Sequence, residues 1–240
     1  MATPSSPVPV GAGERATLRG IRRRGWSIGL ATGLYGISFG ALATASGLEV
    51  WQAVVLSAVM FTGGSQFAFI GVIGGGGSVV GATLAALLLG VRNTLYGLIL
   101  APMLERGGWR GALRAHLTID ESTANAASGA TRAQQRAGFW SAGIAVWVLW
   151  NLFTLVGALA GQAIADPAAW GLDAAAAGAF LALLWPRLVR RDVVAVAVAA
   201  AFVALVATPI LPPGLPVLAA ALVAVIAGWP LPRGGSEGAR

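Results

Sequence analysis

An apolar run from residue 51 to residue 73 is interrupted at its midpoint by Phe61-Thr62-Gly63-Gly64-Ser65-Gln66. This break constrains the fold more than any other feature of the chain. In hydrocarbon a backbone N–H or C=O finds no water, so a lipid-spanning segment stays helical. Two adjacent glycines among hydroxyl and amide side chains loosen the helix and free backbone amides. Such irregular backbone is tolerated where it is buried in protein or lines a cavity, as it does at transporter solute sites. The same small residues would serve equally as a notch for close helix packing. The break alone does not separate the two readings.

Composition places the break in a membrane protein. Of 240 residues 57% are hydrophobic and 10% charged, against about 25% charged in a soluble domain. The net charge of +7 comes from 16 arginines without a single lysine. Much of that arginine flanks apolar runs, which is a topology signal and not a nucleic-acid footprint. Without lysine the Gly74–Gly77 run cannot be a P-loop, so no ATPase domain lies in this chain, and no Schiff-base lysine exists. The absence of cysteine removes thiolate chemistry and disulfides. His116 stands alone and cannot form a paired-histidine zinc motif. Neither a metal nor another cofactor is expected.

Apolar segments cover 26–46, 51–73, 79–100, 139–164, 174–189, 193–210 and 215–229. About 20 apolar residues cross a bilayer, so the expected fold is all-α and polytopic, with about 6–8 membrane segments. Its organisation is a disordered cytoplasmic tail at 1–25, one transmembrane domain at 26–229, and a short cytoplasmic tail at 230–240. The basic 22–24 run and Ala41-Leu42-Ala43 resemble a signal peptide, but the following stretch is long enough to span. Trp26, Trp51, Trp140, Trp170, Trp185 and Trp229 lie near segment ends, as interfacial anchors do. No convincing internal repeat is seen.

Arginine placement sets orientation. The arginines at 22–24, 106–114, 132–136, 187–191 and 233 belong inside, and the acidic stretches near Glu49 and 166–173 outside. The second half obeys: 139–164 runs outward, 174–189 inward, 193–210 outward and 215–229 inward, leaving both termini cytoplasmic. The first half does not, because three apolar segments between Arg24 and Arg106 would put the Arg106 loop outside. Either 79–100 is re-entrant or the polar stretch 117–131 crosses within the bundle. A broken or re-entrant element within 51–100 is the preferred resolution.

Three polar clusters interrupt the apolar pattern. A half-helix starting near Gly64 would aim free N–H groups and a positive dipole end at an anion. Arg92-Asn93 sits within 79–100, where an unpaired charge costs about 2.5–3.5 kcal/mol. Arg92 could hold a solute carboxylate, pair with Asp120 or Glu121, or lie near an interface if this segment is re-entrant. In Thr118-Ile119-Asp120-Glu121-Ser122-Thr123-Ala124-Asn125, Thr118 with Glu121 fits a capping box that would begin a helix. That helix is either a cytoplasmic amphipathic element or a wall that binds a proton or an ammonium group.

These clusters, in this order, resemble the AzlC-like family, the large subunit of branched-chain amino-acid exporters. The residues carrying the resemblance are Phe61-Thr62-Gly63-Gly64-Ser65-Gln66-Phe67-Ala68, then Arg92-Asn93-Thr94-Leu95-Tyr96-Gly97-Leu98 with Ala101-Pro102, then Thr118-Ile119-Asp120-Glu121-Ser122. It covers roughly residues 20–229. Asn93 stands where the family usually has His, and Gly90 where Asn is commoner, which weakens any role for a titrating imidazole there. The resemblance implies a multi-pass bacterial inner-membrane protein working with a small AzlD-like membrane subunit. It implies export of valine, leucine, isoleucine and sometimes methionine, driven by the proton motive force.

The expected site follows. Gly63, Gly64 and Ser65 would bind a carboxylate, with Thr62 beside them, and Gln66 and Asn93 would supply hydrogen bonds. Arg92 would add or balance charge. Asp120 and Glu121 would accept an ammonium group or carry the coupled proton. Phe61, Phe67 and Phe69 are candidates for the apolar pocket. Rival readings are transport of another small amphoteric or anionic solute, a structural subunit of a larger complex, and an intramembrane hydrolase with Ser65 as nucleophile and His116 as its base.

Overall fold

In the computed structural model, residues 11–104, 108–163, 181, 184–185, 188–212 and 215–228 are described. They contain nine helices and no strand. These are α1 (Ala12–Ala45), α2 (Val50–Val59), α3 (Gly64–Gly74), α4 (Val79–Leu100), α5 (Gly108–His116), α6 (Asp120–Ala127), α7 (Arg132–Ala163), α8 (Arg191–Ala207) and α9 (Leu215–Gly228). Helices α1, α4 and α7 are long and apolar enough to cross a membrane, and α2, α3 and α9 are shorter apolar helices. The expected segment 174–189 and the tails at 1–10 and 229–240 fall mostly or wholly outside the described residues. Residues 12–25, expected as unstructured tail, form the first turns of α1. Once the prolines end at Pro9, Ala, Leu, Glu and Arg dominate this stretch, and these are good helix formers.

The scaffold is a pair of parallel helices. Helix α1 packs most extensively against α7, and the register advances in the same direction on both. Gly25 meets Ser141 and Ala142, Gly29 meets Ala145, Gly33 meets Leu149, and Gly40 meets Ala158. Glycines at these positions let the backbones approach closely, the usual device for helix association in lipid. Both helices therefore run from one arginine-bearing end of the bundle to the far end.

Parallel α1 and α7 require an odd number of crossings between them, and the break supplies it by turning one apolar run back on itself. Gly74 at the end of α3 abuts Ser46 at the end of α1. The same far-end groove is lined by Gly47, Trp51, Ile73 and Val79. Helix α2 thus enters from the far end, the chain turns at 60–63, and α3 returns to the end it left. Helix α4 then crosses antiparallel to α3, pairing Val72 and Ala68 with Ala82 and Ala85 and Gly64 with Arg92. The re-entrant element is accordingly Val50–Gly74, not 79–100. Gly63 is the turning residue, at φ 53°, a conformation that disfavours side chains.

The stretch 117–131 does not cross either. Leu117 lies against Gly143 and Asn125 against Gly138, so α6 runs back down α7 toward the arginine end. There Arg24 Nη1 donates to Ser128 Oγ at 3.4 Å. Helices α5 and α6 form a second, shallower hairpin entering from the arginine end. Its helix begins at Asp120, two residues after the expected cap. The hydroxyl of Ser122 accepts from Ile119 N at 3.0 Å and donates to the Leu117 carbonyl at 2.7 Å. Thr118, read as the cap, instead donates to the Arg114 carbonyl at 2.8 Å.

Candidate functional site

The two hairpins meet tip to tip. The ring of Phe61, on the far-end tip, lies 5.8 Å from that of His116 on the other. Both return helices, α3 and α6, start at this meeting point, so two N-termini with positive dipole ends converge on it. Nothing caps α3 with a side chain, which leaves its first N–H groups available. Helix α6 carries its own complement, Asp120 and Glu121, in its first turn.

Between the tips lies a cavity of about 250 Å³. At about 30 Å³ per water that is room for roughly eight waters, or a solute of similar heavy-atom count. The tips contribute Thr62, Gly63 and Gly64 from one side and Ile119, Asp120 and Glu121 from the other. Helix α4 contributes Arg92 and Asn93, and α1 contributes Thr32 and Tyr35. Phe61, Phe67, Val146 and Trp150 make the apolar wall. Phe67 and Trp150 are locked by Phe39 behind them, edge-on to Phe67 at 5.6 Å and stacked on Trp150 at 6.0 Å.

Arg92 ties the assembly together. Its Nη1 donates to Asp120 Oδ2 and its Nη2 to the Thr62 carbonyl, each at 3.2 Å. One guanidinium thus bridges both tips and satisfies a carbonyl freed by the break. Glu121 receives Thr32 Oγ1 at 3.4 Å. It stands on α6, which does not span the bundle. There loss of hydration holds its carboxyl above the ordinary range, and the neighbouring Asp120 adds repulsion. With Arg92 and Asp120 compensating each other, Glu121 is the remaining ionisable charge of the cavity. Thr62 Oγ1, Asn93 Oδ1 and Trp150 Nε1 are buried without a hydrogen-bond partner among the described residues, atoms that a bound solute or water would be expected to satisfy.

Seven of the nine sequence-predicted site residues therefore share one cavity: Thr62, Gly63, Gly64, Arg92, Asn93, Asp120 and Glu121. Ser65 and Gln66 lie outside it. The Ser65 hydroxyl faces Gly90 on α4. Gln66 is fully buried, and its Nε2 donates to the Ser57 carbonyl at 3.1 Å, bracing α3 to α2. Ser57 in turn donates to Thr154 on α7 at 3.2 Å. Phe69 lines the far-end groove instead of the cavity. Ser65 makes no hydrogen bond to His116, so no nucleophile–base pair is formed. No group of three His, Cys, Asp or Glu side chains that could hold a metal occurs among the described residues.

Sequence reasoning missed Thr32, Tyr35, Val146 and Trp150. Trp150 did carry a signal, since it lies mid-segment and not at an interface, where membrane tryptophans concentrate. The helices on either side give no such hint for Val146.

A broken-helix hairpin, a charged bridge and a partly open cavity in an apolar bundle define a membrane protein of transporter type. The chain belongs to the AzlC family, whose description "AzlC protein" matches residues 27–164. It is 30% identical over 132 residues to the inner membrane protein YgaZ of Escherichia coli (strain K12), covering 53% of this chain and 54% of that one. An uncharacterized membrane protein of Helicobacter pylori (strain J99 / ATCC 700824) is 30% identical over 98 residues, 41% of this chain and 43% of that one. The chain thus spans about half the length of the curated relatives it matches or less. No solved structure matches.

Proposed function

We propose that this chain is the solute-translocating subunit of an exporter of branched-chain amino acids, with methionine as a further substrate. One observation carries the reading. A cavity of about 250 Å³ sets the uncapped N-terminus of α3 and Arg92 against Asp120 and Glu121, with an aromatic and aliphatic wall between them. A zwitterion with a branched apolar side chain matches all three. The carboxylate goes to the Gly63–Gly64 amides, the ammonium to Glu121, and the side chain to Phe67, Val146 and Trp150. Glu121 exchanges the coupled proton, since burial raises its affinity for a proton and an arriving ammonium group would lower it again. The arginine end faces the cytoplasm, a reading that the positive-inside rule supports, and the membrane is the bacterial cytoplasmic membrane. A small AzlD-like membrane subunit is its partner.

The test is efflux from dipeptide-loaded cells lacking their own exporters, with this chain and its small partner expressed together. Lower internal valine, leucine or isoleucine than in empty-vector cells is expected. Unchanged accumulation of all three and of methionine would remove the assignment, and reconstituted flux of another amphoteric solute would redirect it.

A further inference from the structure

We infer that Thr32 is a positioning residue for Glu121: α1 delivers its hydroxyl to the carboxylate, fixes that carboxylate at the cavity wall and sets the pH at which it takes up a proton. The inference rests on the transport reading only where it concerns flux. The contact and its effect on stability stand apart from that reading.

Thr32 Oγ1 donates to Glu121 Oε1 at 3.4 Å, and both residues line the cavity. The register of α1 against α6 builds this pairing in. Arg24 meets Ser128 at the base of the arginine-end hairpin, and Thr32 meets Glu121 at its tip. From 24 to 32 α1 rises about 12 Å, and from 121 to 128 α6 rises about 10 Å. The two antiparallel helices therefore bring both contacts into line together. Thr32 is held in place as well. Gly29 lies against Ala145 and Gly33 against Leu149, so close approaches seat α1 on α7 on either side of it.

The surroundings of Glu121 give the hydroxyl its weight. On α6 the carboxylate has its own backbone N–H as a donor, and the adjacent Asp120 repels it. On α4, Arg92 is held by Asp120 and the Thr62 carbonyl and acts on Glu121 through its charge. Asn93 and Tyr35 line the cavity, α7 adds the uncharged Val146 and Trp150, and His116 on the α5 tip lies against Phe61. Among the described residues Thr32 is the side chain that donates to this carboxylate. A donated hydrogen bond favours the charged form of a carboxylate, whereas burial favours the neutral one. At Glu121 burial wins, and Thr32 offsets part of it. Valine keeps the branched shape of threonine, so Thr32→Val removes the donor with little change in packing.

The experiment records the thermal midpoint of the full chain in detergent across pH for wild type, T32V, T32A and T32S, alone and with E121Q. Stability linked to Glu121 is lost as pH climbs through its raised value. Loss of the donor should move that decline upward by roughly half a pH unit or more in T32V and T32A, and T32S should keep the wild-type profile. With E121Q present, T32V should change nothing. Coincident profiles for T32V and wild type would overturn the inference. So would a shift that persists in T32V/E121Q, or one that T32S shares. In proteoliposomes the pH profile of solute flux should move in the same direction. A flux profile that stays put while the stability profile moves would show that the contact does not set loading. A stability shift in a chain that carries no solute would support the role of Thr32 and remove the transport reading instead.

Discussion

Arg92 Nη1 lies 3.2 Å from Asp120 Oδ2, and this contact joins two hairpins that enter the bundle from opposite ends. Because Arg92 also holds the Thr62 carbonyl, the far-end tip, the crossing helix α4 and the arginine-end tip form one polar junction in an apolar surround. A bilayer makes such a junction expensive to leave incomplete, since outside the cavity neither tip has water to fall back on. Any solute carboxylate that draws Arg92 toward the Gly63–Gly64 amides must loosen its hold on Asp120, so occupancy and the relation between the hairpins are linked.

Breaking the pair from one side should therefore cost more than removing it. Asp120→Asn leaves Arg92 uncompensated. With side chains 32% and 27% exposed, the penalty should be about 1–3 kcal/mol, below that of a fully buried pair. We expect a lower thermal midpoint in detergent for D120N and recovery of most of the loss in R92Q/D120N, while efflux stays low in both. If the double variant were no more stable than D120N, the junction would not be an energetic unit.

Gly64 discriminates cavity from packing notch. The nearest atoms to a Cβ built there are Arg92 Nη2 at 3.4 Å, Leu89 Cδ2 at 3.8 Å and Arg92 Cζ at 3.9 Å, so Gly64→Ala should fold normally and retain most transport. Gly64→Leu would push its branch into the guanidinium and the cavity, and efflux should fall by roughly tenfold or more with the protein still inserted. A fully active G64L would show that the solute binds elsewhere. Gly63→Ala is a separate test, because φ 53° costs a side chain about 1–2 kcal/mol, and it should act on stability.

Glu121 supplies a pH signature. Its carboxyl is held above the ordinary range by burial first and by Asp120 second, so the folded chain binds this proton more tightly than the unfolded one. The linked stability is fully present below the ordinary carboxylate range and is lost as pH climbs through the raised value. Glu121→Gln should flatten that decline in thermal midpoint. In proteoliposomes it should also abolish accumulation driven by a pH gradient while leaving solute exchange measurable. An unaltered pH-driven accumulation in E121Q would assign the coupling proton to another group.

How much of this was legible beforehand differs by element. The break, Arg92-Asn93 and Asp120-Glu121 stand out because polar residues inside apolar runs are costly and need partners, and they do converge. The direction of the chain after the break was not legible. A hairpin and a kinked span have the same hydropathy, and only the contact of Gly74 with Ser46 shows that α3 turns back. Gln66 misled because a buried amide reads alike whether it binds solute or braces a neighbouring helix. Trp150 and Val146 reach the cavity through the α1–α7 register, which no local pattern reports.

The α1–α7 pair positions the cavity from behind, so a change there should act without touching it. A Cβ added at Gly29 would stand 2.5 Å from the Ala145 Cβ and 2.8 Å from its carbonyl carbon. The backbone cannot yield as a flexible side chain would. Gly29→Ala must therefore push the helices apart, at about 1–3 kcal/mol. The displacement reaches the cavity directly, because Thr32 lies one turn further along α1 and Val146 adjoins Ala145 on α7. We expect a lower thermal midpoint together with a raised half-saturation for efflux. Ala145→Gly in the same chain should remove the Cβ contact and restore both in part, because the backbone carbonyl carbon at 2.8 Å remains. Failure of that rescue, with Gly29→Ala still destabilised, would place the strain elsewhere than at this helix contact.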